Sequence, residues 1–214
     1  MEPIQFRTVP IKGSTSDVRE GFQPDGCRWW LADRRDDVAH GSLTLPMTPD
    51  KMAAYQAWPK DDTHDYIADP EFRKLWAHIS PQSEIIYCSR MEMLIALIER
   101  LRDPRPAVGT VVEVLQAADF KPTTHIPTLY ELDIGKGAIY AWTDRGGFKA
   151  EFHGNHSWWT NLLFVETSVT TQKGDIWPIH WPESYGDVEA KAAEFLIEHY
   201  IPWVRATRIM RNTR

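Results

Sequence analysis

The sequence predicts a single α+β domain that spans residues 1–214. Strand-like segments cluster between residues 129 and 181, and segments with helical periodicity lie on both sides of that cluster. The chain has neither an internal repeat nor the regular alternation of strand and helix that a parallel sheet requires. We therefore predict an antiparallel β-meander at about residues 129–181. It packs against several helices, including one near residues 90–102 and a C-terminal one near 187–201.

The N-terminal segment predicts strands separated by a loop. Residues 4–9 alternate apolar and polar side chains with period two, which is typical of a strand. Residues 12–26 collect turn-forming residues and few apolar ones, so we expect a mobile loop there. Residues 27–31 and 42–45 predict a pair of strands around a charged turn.

Helix starts and apolar periodicity mark the next part of the chain. Thr48 followed by Pro49 predicts a helix start, and a second start at residue 69 opens a short helix. Residues 84–88 form a short apolar run that predicts a buried strand. Apolar residues at helical spacing predict the helix near 90–102, which two prolines at 104 and 106 end.

Capping residues predict two further helices. Thr110 and Glu113 have the spacing of a capping box, which favours a short helix after them. Ser184 or Asp187 caps the C-terminal helix, and Pro202 ends or kinks it. The strands of the meander lie between these helices, in four apolar or alternating runs at residues 129–132, 138–142, 148–152 and 162–165.

Charge and thiol content limit the classes of function. The formal net charge is −6, although residues 205–214 carry four arginines and no acid, so the rest of the chain carries −10. An acidic body argues against a large nucleic-acid footprint. Cys27 and Cys88 are too few for a disulfide framework, and no segment has the length of a membrane span or the pattern of a secretory signal. We expect a cytoplasmic protein without membrane contact.

Tryptophan is the distinctive residue, with ten copies. Adjacent tryptophans in a strand point to opposite faces, so one member of a pair such as Trp158 and Trp159 is expected to remain reachable. Trp177 and Trp181 add a second group close by in sequence. Because exposed tryptophan is typical of interface hot spots and stacking platforms, these four residues predict a binding surface.

Histidines offer a metal-binding alternative. His153 and His156 lie three residues apart near a strand end, and His180 completes a candidate ligand set that suits zinc, with Glu151 or Asp175 as acid or base. An offset of three sends side chains of a continuous strand to opposite faces, which argues against a shared ion unless Gly154 breaks the strand.

The main hypothesis is a non-enzymatic binding protein, of inhibitor or immunity type, that uses a Trp-bearing surface against a protein partner and needs no cofactor. The first alternative is a metal-dependent hydrolase centred on His153, His156 and His180. The second is a nucleic-acid-associated accessory protein. Its contacts are the C-terminal arginines, Arg205, Arg208 and Arg211, which equally suit a solubilised terminus or an acidic partner.

Overall fold

A ten-stranded antiparallel sheet organises the chain in a computed structural model, which describes residues 2–10, 18–33, 38–57, 82–144, 147–155, 158–170 and 176–207. The strand order is β1-β2-β3-β4-β5-β10-β9-β8-β7-β6, so two five-stranded meanders meet at the β5–β10 pair. The strands of this sheet are β1 (Phe6–Val9), β2 (Val18–Phe22), β3 (Arg28–Asp33), β4 (Ala39–Thr44), β5 (Gln82–Cys88), β6 (Lys121–Pro122), β7 (Leu129–Asp133), β8 (Gly137–Asp144), β9 (Gly147–Gly154) and β10 (Trp158–Val165).

Helices cover one face of this sheet, which gives the α+β class that the sequence predicts. The helices are α1 (Pro49–Ala57), α2 (Met91–Arg102), α3 (Val111–Ala117), α4 (Val188–Phe195) and α5 (Ile201–Ala206). Helix α2 contacts β3, β4 and β5, whereas α4 contacts β9 and β10 as well as α2 and α3. The buried core lies between these helices and the sheet, and fully buried members include Trp29, Ile86, Leu94, Phe152 and Phe195.

Several predicted elements are confirmed almost residue for residue. Helix α2 occupies the segment predicted near 90–102, and its buried residues include Leu94, Ile98 and Leu101. The Thr110 hydroxyl accepts from the Glu113 amide, and the Glu113 carboxylate accepts from the Thr110 amide, which completes the capping box before α3. Short-range patterns of this kind depend on residues three or four apart, so they can be read from the sequence without knowledge of tertiary contacts.

The predicted loop at 12–26 is wrong in part. Residues 18–22 form β2, which pairs with β1 on one side and β3 on the other. This strand contains Glu20 and Gly21, which are depleted in strands when they are taken one at a time. Pairing along both edges outweighs that weak intrinsic preference, because the partners satisfy the backbone groups of β2.

The predicted meander is confirmed only for its first four strands, β7 to β10. Beyond residue 165 the chain leaves the large sheet and forms a separate hairpin of β11 (Ser168–Thr170) and β12 (Ile176–Pro178). The predicted boundary at residue 181 is therefore too late. Apolar character alone does not distinguish a strand of the main sheet from a strand of a side hairpin.

The C-terminal helix continues beyond the predicted end at residue 201. Asp187 caps α4 by accepting from the Ala190 amide, and a π-helical turn at Leu196–Tyr200 joins α4 to α5. Pro202 lies in the first turn of α5, directly after the π-helical turn, where the wider backbone accommodates its ring and its missing N–H. The wide turn therefore allows the chain to remain helical through a proline.

Candidate functional site

The sheet has a second face, opposite α2 and α4, which we call the outer face. Strand β9 shows the alternation that defines it, since Phe148 and Phe152 are buried towards the helices. Lys149, Glu151 and His153 are the intervening residues, and they lie on the outer face with partial or full exposure. The outer face thus carries polar and aromatic side chains that do not pack in the core.

A row of rings crosses the middle of the outer face. His40 stacks on Tyr87 with ring centroids 4.9 Å apart, and Tyr87 stacks on Phe164 at 5.6 Å. The Lys149 ammonium lies 4.5 Å from the centroid of the Phe164 ring. Glu20, His40 and Ser42 are buried on the β1–β5 half, whereas the β7–β10 half exposes Trp159 and His153.

A cleft of about 620 Å³ opens on the β7–β10 half. Its lining residues are Ile126, Thr128, Leu129, Tyr140, Trp142, Thr143, Glu151 and His153. Strands β7, β8 and β9 supply its floor, because Tyr140 pairs with Glu151 across β8 and β9 and Leu129 pairs with Trp142 across β7 and β8. Hydrogen bonds between Thr123 and Ile126 hold the segment that precedes β7 and forms the rim.

Glu151 and His153 form the polar side of the cleft. The Nε2 atom of His153 lies 2.9 Å from Oε2 of Glu151, and both side chains remain partly exposed. The His153 ring contacts the Tyr140 ring edge to face at 4.8 Å and stacks on Trp159 at 6.5 Å. Trp159 is 59% exposed, so the cleft continues into an accessible indole.

Tyr140 lies between two carboxylates. Glu131 faces it from β7 and Glu151 faces it from β9. Burial raises the pKa of Tyr140, and the nearby charge of Glu131 together with a hydrogen bond to that carboxylate raises the pKa further. The tyrosine therefore remains a neutral donor at physiological pH, with Glu131 as its acceptor.

Trp159 and Trp181, the two tryptophans of the predicted surface whose side chains the structure describes, lie apart. Trp159 lies at the start of β10, whereas the Nε1 atom of Trp181 donates to the Glu166 carbonyl just beyond the end of β10. The six residue steps from Trp159 to Val165 correspond to about 20 Å along a strand. Trp181 is also half-buried against Tyr185, and the side chains of Trp158 and Trp177 lie outside the described part of the structure.

His153 and His180 likewise lie beside opposite ends of β10. His153 pairs with Trp159 at the start of β10, but His180 follows Ile179, whose amide donates to the Thr167 carbonyl beyond the end of β10. Among the described residues, no group of three His, Cys, Asp or Glu side chains is placed to hold a metal ion. His156 and Asp175 lie outside the described residues.

The basic C-terminal segment begins beside the β7–β8 turn. Lys136 of that turn donates to the carbonyls of Val204, Arg205 and Thr207, and so satisfies the C-terminal end of α5. Arg205 itself is exposed. Arg208 and Arg211 lie outside the described residues, so their predicted role as contacts remains a prediction.

The aromatic floor of the cleft was not predicted from the sequence. Tyr140 and Trp142 are two residues apart on β8, which places both side chains on one face, and the buried Ala141 between them marks that face as the outer one. Alternation within the predicted strand at 138–142 was therefore a usable signal. Only the strand pairing brings Leu129, Glu151 and His153 beside them.

The two thiols are buried and protonated, and therefore unreactive. Burial raises the pKa of Cys88 to about 12, and burial together with Asp25 raises the pKa of Cys27 to about 12. Neither residue lines the cleft. Because a thiolate is the reactive form, the structure gives these residues a role in packing rather than in nucleophilic chemistry.

We expect the buried Cys88 to lower stability at alkaline pH. The unfolded thiol loses its proton near pH 9 and the folded thiol near pH 12, so the free energy of unfolding falls as pH rises above about 9. The slope from this residue approaches about 1.4 kcal/mol per pH unit. Urea titrations between pH 7 and 11 should show a shallower decline for Cys88→Ala. An equal slope in both proteins would contradict the assignment.

Comparison with known proteins gives no family to which the chain belongs. No protein-family model matches it, and no curated protein or solved structure shows significant similarity. In the ranges that the structure describes, none of the helices has the length and apolar character needed to span a bilayer. The chemistry of the cleft and of Trp159 is therefore the basis for inferring a function.

Proposed function

We propose that this chain is a non-enzymatic binding protein that presents the β7–β10 half of its outer face to a basic protein partner. The exposed indole of Trp159 is the observation that supports this most directly. A large aromatic side chain with 59% exposure leaves much apolar surface in contact with water, which a partner can bury. Tryptophan is also among the residues most enriched in interface hot spots. Its continuity with His153 and the cleft extends the apolar area.

Charge favours a basic partner. The chain outside residues 205–214 carries −10, and Glu131, Asp133 and Glu151 outnumber Lys149 on the half of the outer face that carries Trp159. Complementary charges accelerate association and disfavour acidic competitors. These carboxylates also oppose a phosphate backbone, which makes the nucleic-acid alternative less favourable at this surface.

The hydrolase alternative loses support from the same geometry. His153 and His180 lie at opposite ends of β10, about 20 Å apart along the strand. The remaining described pair, Glu151 and His153, is held by one hydrogen bond beside aromatic walls. That arrangement suits recognition of a side chain by a rigid surface.

The test is affinity capture from an extract of cells that express the protein, with three immobilised versions of the chain. These are wild type, Trp159→Ala and Phe22→Ala. Phe22 is a matched control because it is 54% exposed but lies on β2, four strands or about 19 Å from β10. Each captured protein is then purified, and its Kd for the three versions is measured by calorimetry.

We expect a basic partner that binds wild type and Phe22→Ala equally, and Trp159→Ala at least about thirtyfold more weakly, since hot-spot truncation costs about 2 kcal/mol or more. Melting temperatures of the three versions should agree within about 2 °C, because neither substituted side chain is buried. The proposal is wrong if no protein depends on Trp159, or if the Trp159-dependent partner is acidic.

A further inference from the structure

We propose that the cleft binds the guanidinium group of an arginine side chain carried by the partner, an inference that rests on the proposed function for the identity of that partner. The site combines two features that a planar cation needs, namely aromatic ring faces and carboxylates beside them. Neither Trp159 nor the overall charge of the chain is required for this local chemistry.

The aromatic side chains of the cleft floor, which also form its walls, come from a single strand. Tyr140 and Trp142 project from the same face of β8, about 7 Å apart along the strand. Leu129 closes the β7 side next to Trp142, and Ile126 of the rim is 51% exposed above it. Guanidinium groups stack on tyrosine and tryptophan faces more readily than ammonium groups do, because they are planar and more weakly hydrated.

Two carboxylates flank the aromatic walls. Glu151 lines the cleft, and its side chain is 24% exposed, so its oxygens are accessible but not fully solvated. One of them contacts His153, which leaves the other oxygen for a ligand. Glu131 lies on the opposite side of Tyr140. A guanidinium stacked on that ring has N–H donors directed at both sides, which matches this arrangement.

The two carboxylates differ in their cationic neighbours: Glu131 lies outside the cleft lining and pairs across β6 and β7 with Lys121, whereas Glu151 lines the cleft. The described residues that line it include neither lysine nor arginine. Lys149 is the nearest lysine on β9, and its ammonium lies over Phe164, on the β10 side and away from β8. A cationic ligand is therefore attracted by the two carboxylates, above all by Glu151. Anionic ligands would be repelled by them.

The floor and rim of the cleft are held rigidly, which favours the binding of a side chain. The floor consists of paired strands, and the rim is fixed by hydrogen bonds from Thr123 to Ile126 and from the Leu129 amide to the Ile126 carbonyl. A preformed pocket loses little conformational freedom when a side chain enters it. The cleft volume of about 620 Å³ is ample for an arginine head group with adjoining backbone.

The test uses nuclear magnetic resonance titration of the ¹⁵N-labelled chain with two small probes. N-acetyl-arginine amide is the cation, and N-acetyl-citrulline amide is the neutral control of nearly the same shape. The variant Glu151→Gln removes one charge from the cleft, whereas Glu183→Gln removes one charge from an exposed position outside it and serves as the matched control.

We expect the arginine probe to shift the Trp142 indole signal and the amides of Tyr140 and His153, and the citrulline probe to bind at least about tenfold more weakly. Glu151→Gln should weaken arginine binding about fivefold, and Glu183→Gln by less than about twofold. Equal affinity for both probes, shifts confined to other residues, or equal effects of the two variants would overturn the inference.

These outcomes are separable from those for the proposed function. If the arginine probe does not bind in the cleft but a basic partner still depends on Trp159, only the guanidinium site is wrong. If the probe binds as expected and no protein depends on Trp159, the cleft recognises arginine and the proposed interface is wrong.

Discussion

Trp29→Ala is expected to lower the free energy of unfolding by about 4 kcal/mol. The Trp29 side chain is fully buried between the sheet and the helices, and its Nε1 atom donates to the Gln23 side chain at 3.1 Å. The same Gln23 oxygen accepts from the Tyr185 hydroxyl at 2.9 Å. The substitution therefore leaves a large cavity and removes a donor from a buried network, as urea denaturation followed by circular dichroism will measure.

The neighbouring residue supplies the control. Trp30 lies on the outer face with partial exposure, and the Arg28 guanidinium lies 5.1 Å from the centroid of its ring. Trp30→Ala should cost about 1 kcal/mol, because it loses partial burial and one cation–π contact. Comparable losses from both variants would mean that the outer face at β3 is packed as tightly as the core.

Alternation and capping explain how much of the fold was predictable. Helix α2 shows a clear apolar periodicity, and the capping box at Thr110 and Glu113 depends on residues only three apart. Strand β2 shows the opposite case. Glu20 is buried there because Arg7 and Arg28 pair with it from the adjacent strands, and such partners are invisible until the register of β1 and β3 is known.

The candidate site, too, was predictable only where the residues involved are close in sequence. The tryptophan pair argument predicts an exposed indole, and Trp159 has one, whereas Trp181 lies beyond the other end of β10, so the structure does not bring these two residues together. Glu151 and His153 lie two positions apart on one strand, so their contact can be predicted from strand periodicity alone. The carboxylate pair around Tyr140 depends on strand register, which composition does not determine.

Gly137→Ala is expected to lower the free energy of unfolding by about 3 kcal/mol or more. A Cβ atom at this position would lie 2.2 Å from the His153 carbonyl oxygen and 2.9 Å from the Gly154 Cα, so backbone atoms of β9 must move. Because that displacement begins at His153, the resonances of the cleft residues should shift in the same variant, as an amide correlation spectrum will show.

Gly135→Ala is the matched control within the same β7–β8 connection. Gly135 also has a positive φ, +81°, but no atom lies within 4 Å of the Cβ position, so only backbone strain of about 1 kcal/mol is expected. The difference between the two variants therefore measures the close approach of β8 to β9 beside the cleft. If both substitutions cost the same, the contact at Gly137 does not constrain the strand that carries Glu151 and His153, and the rigid floor inferred for the cleft is wrong.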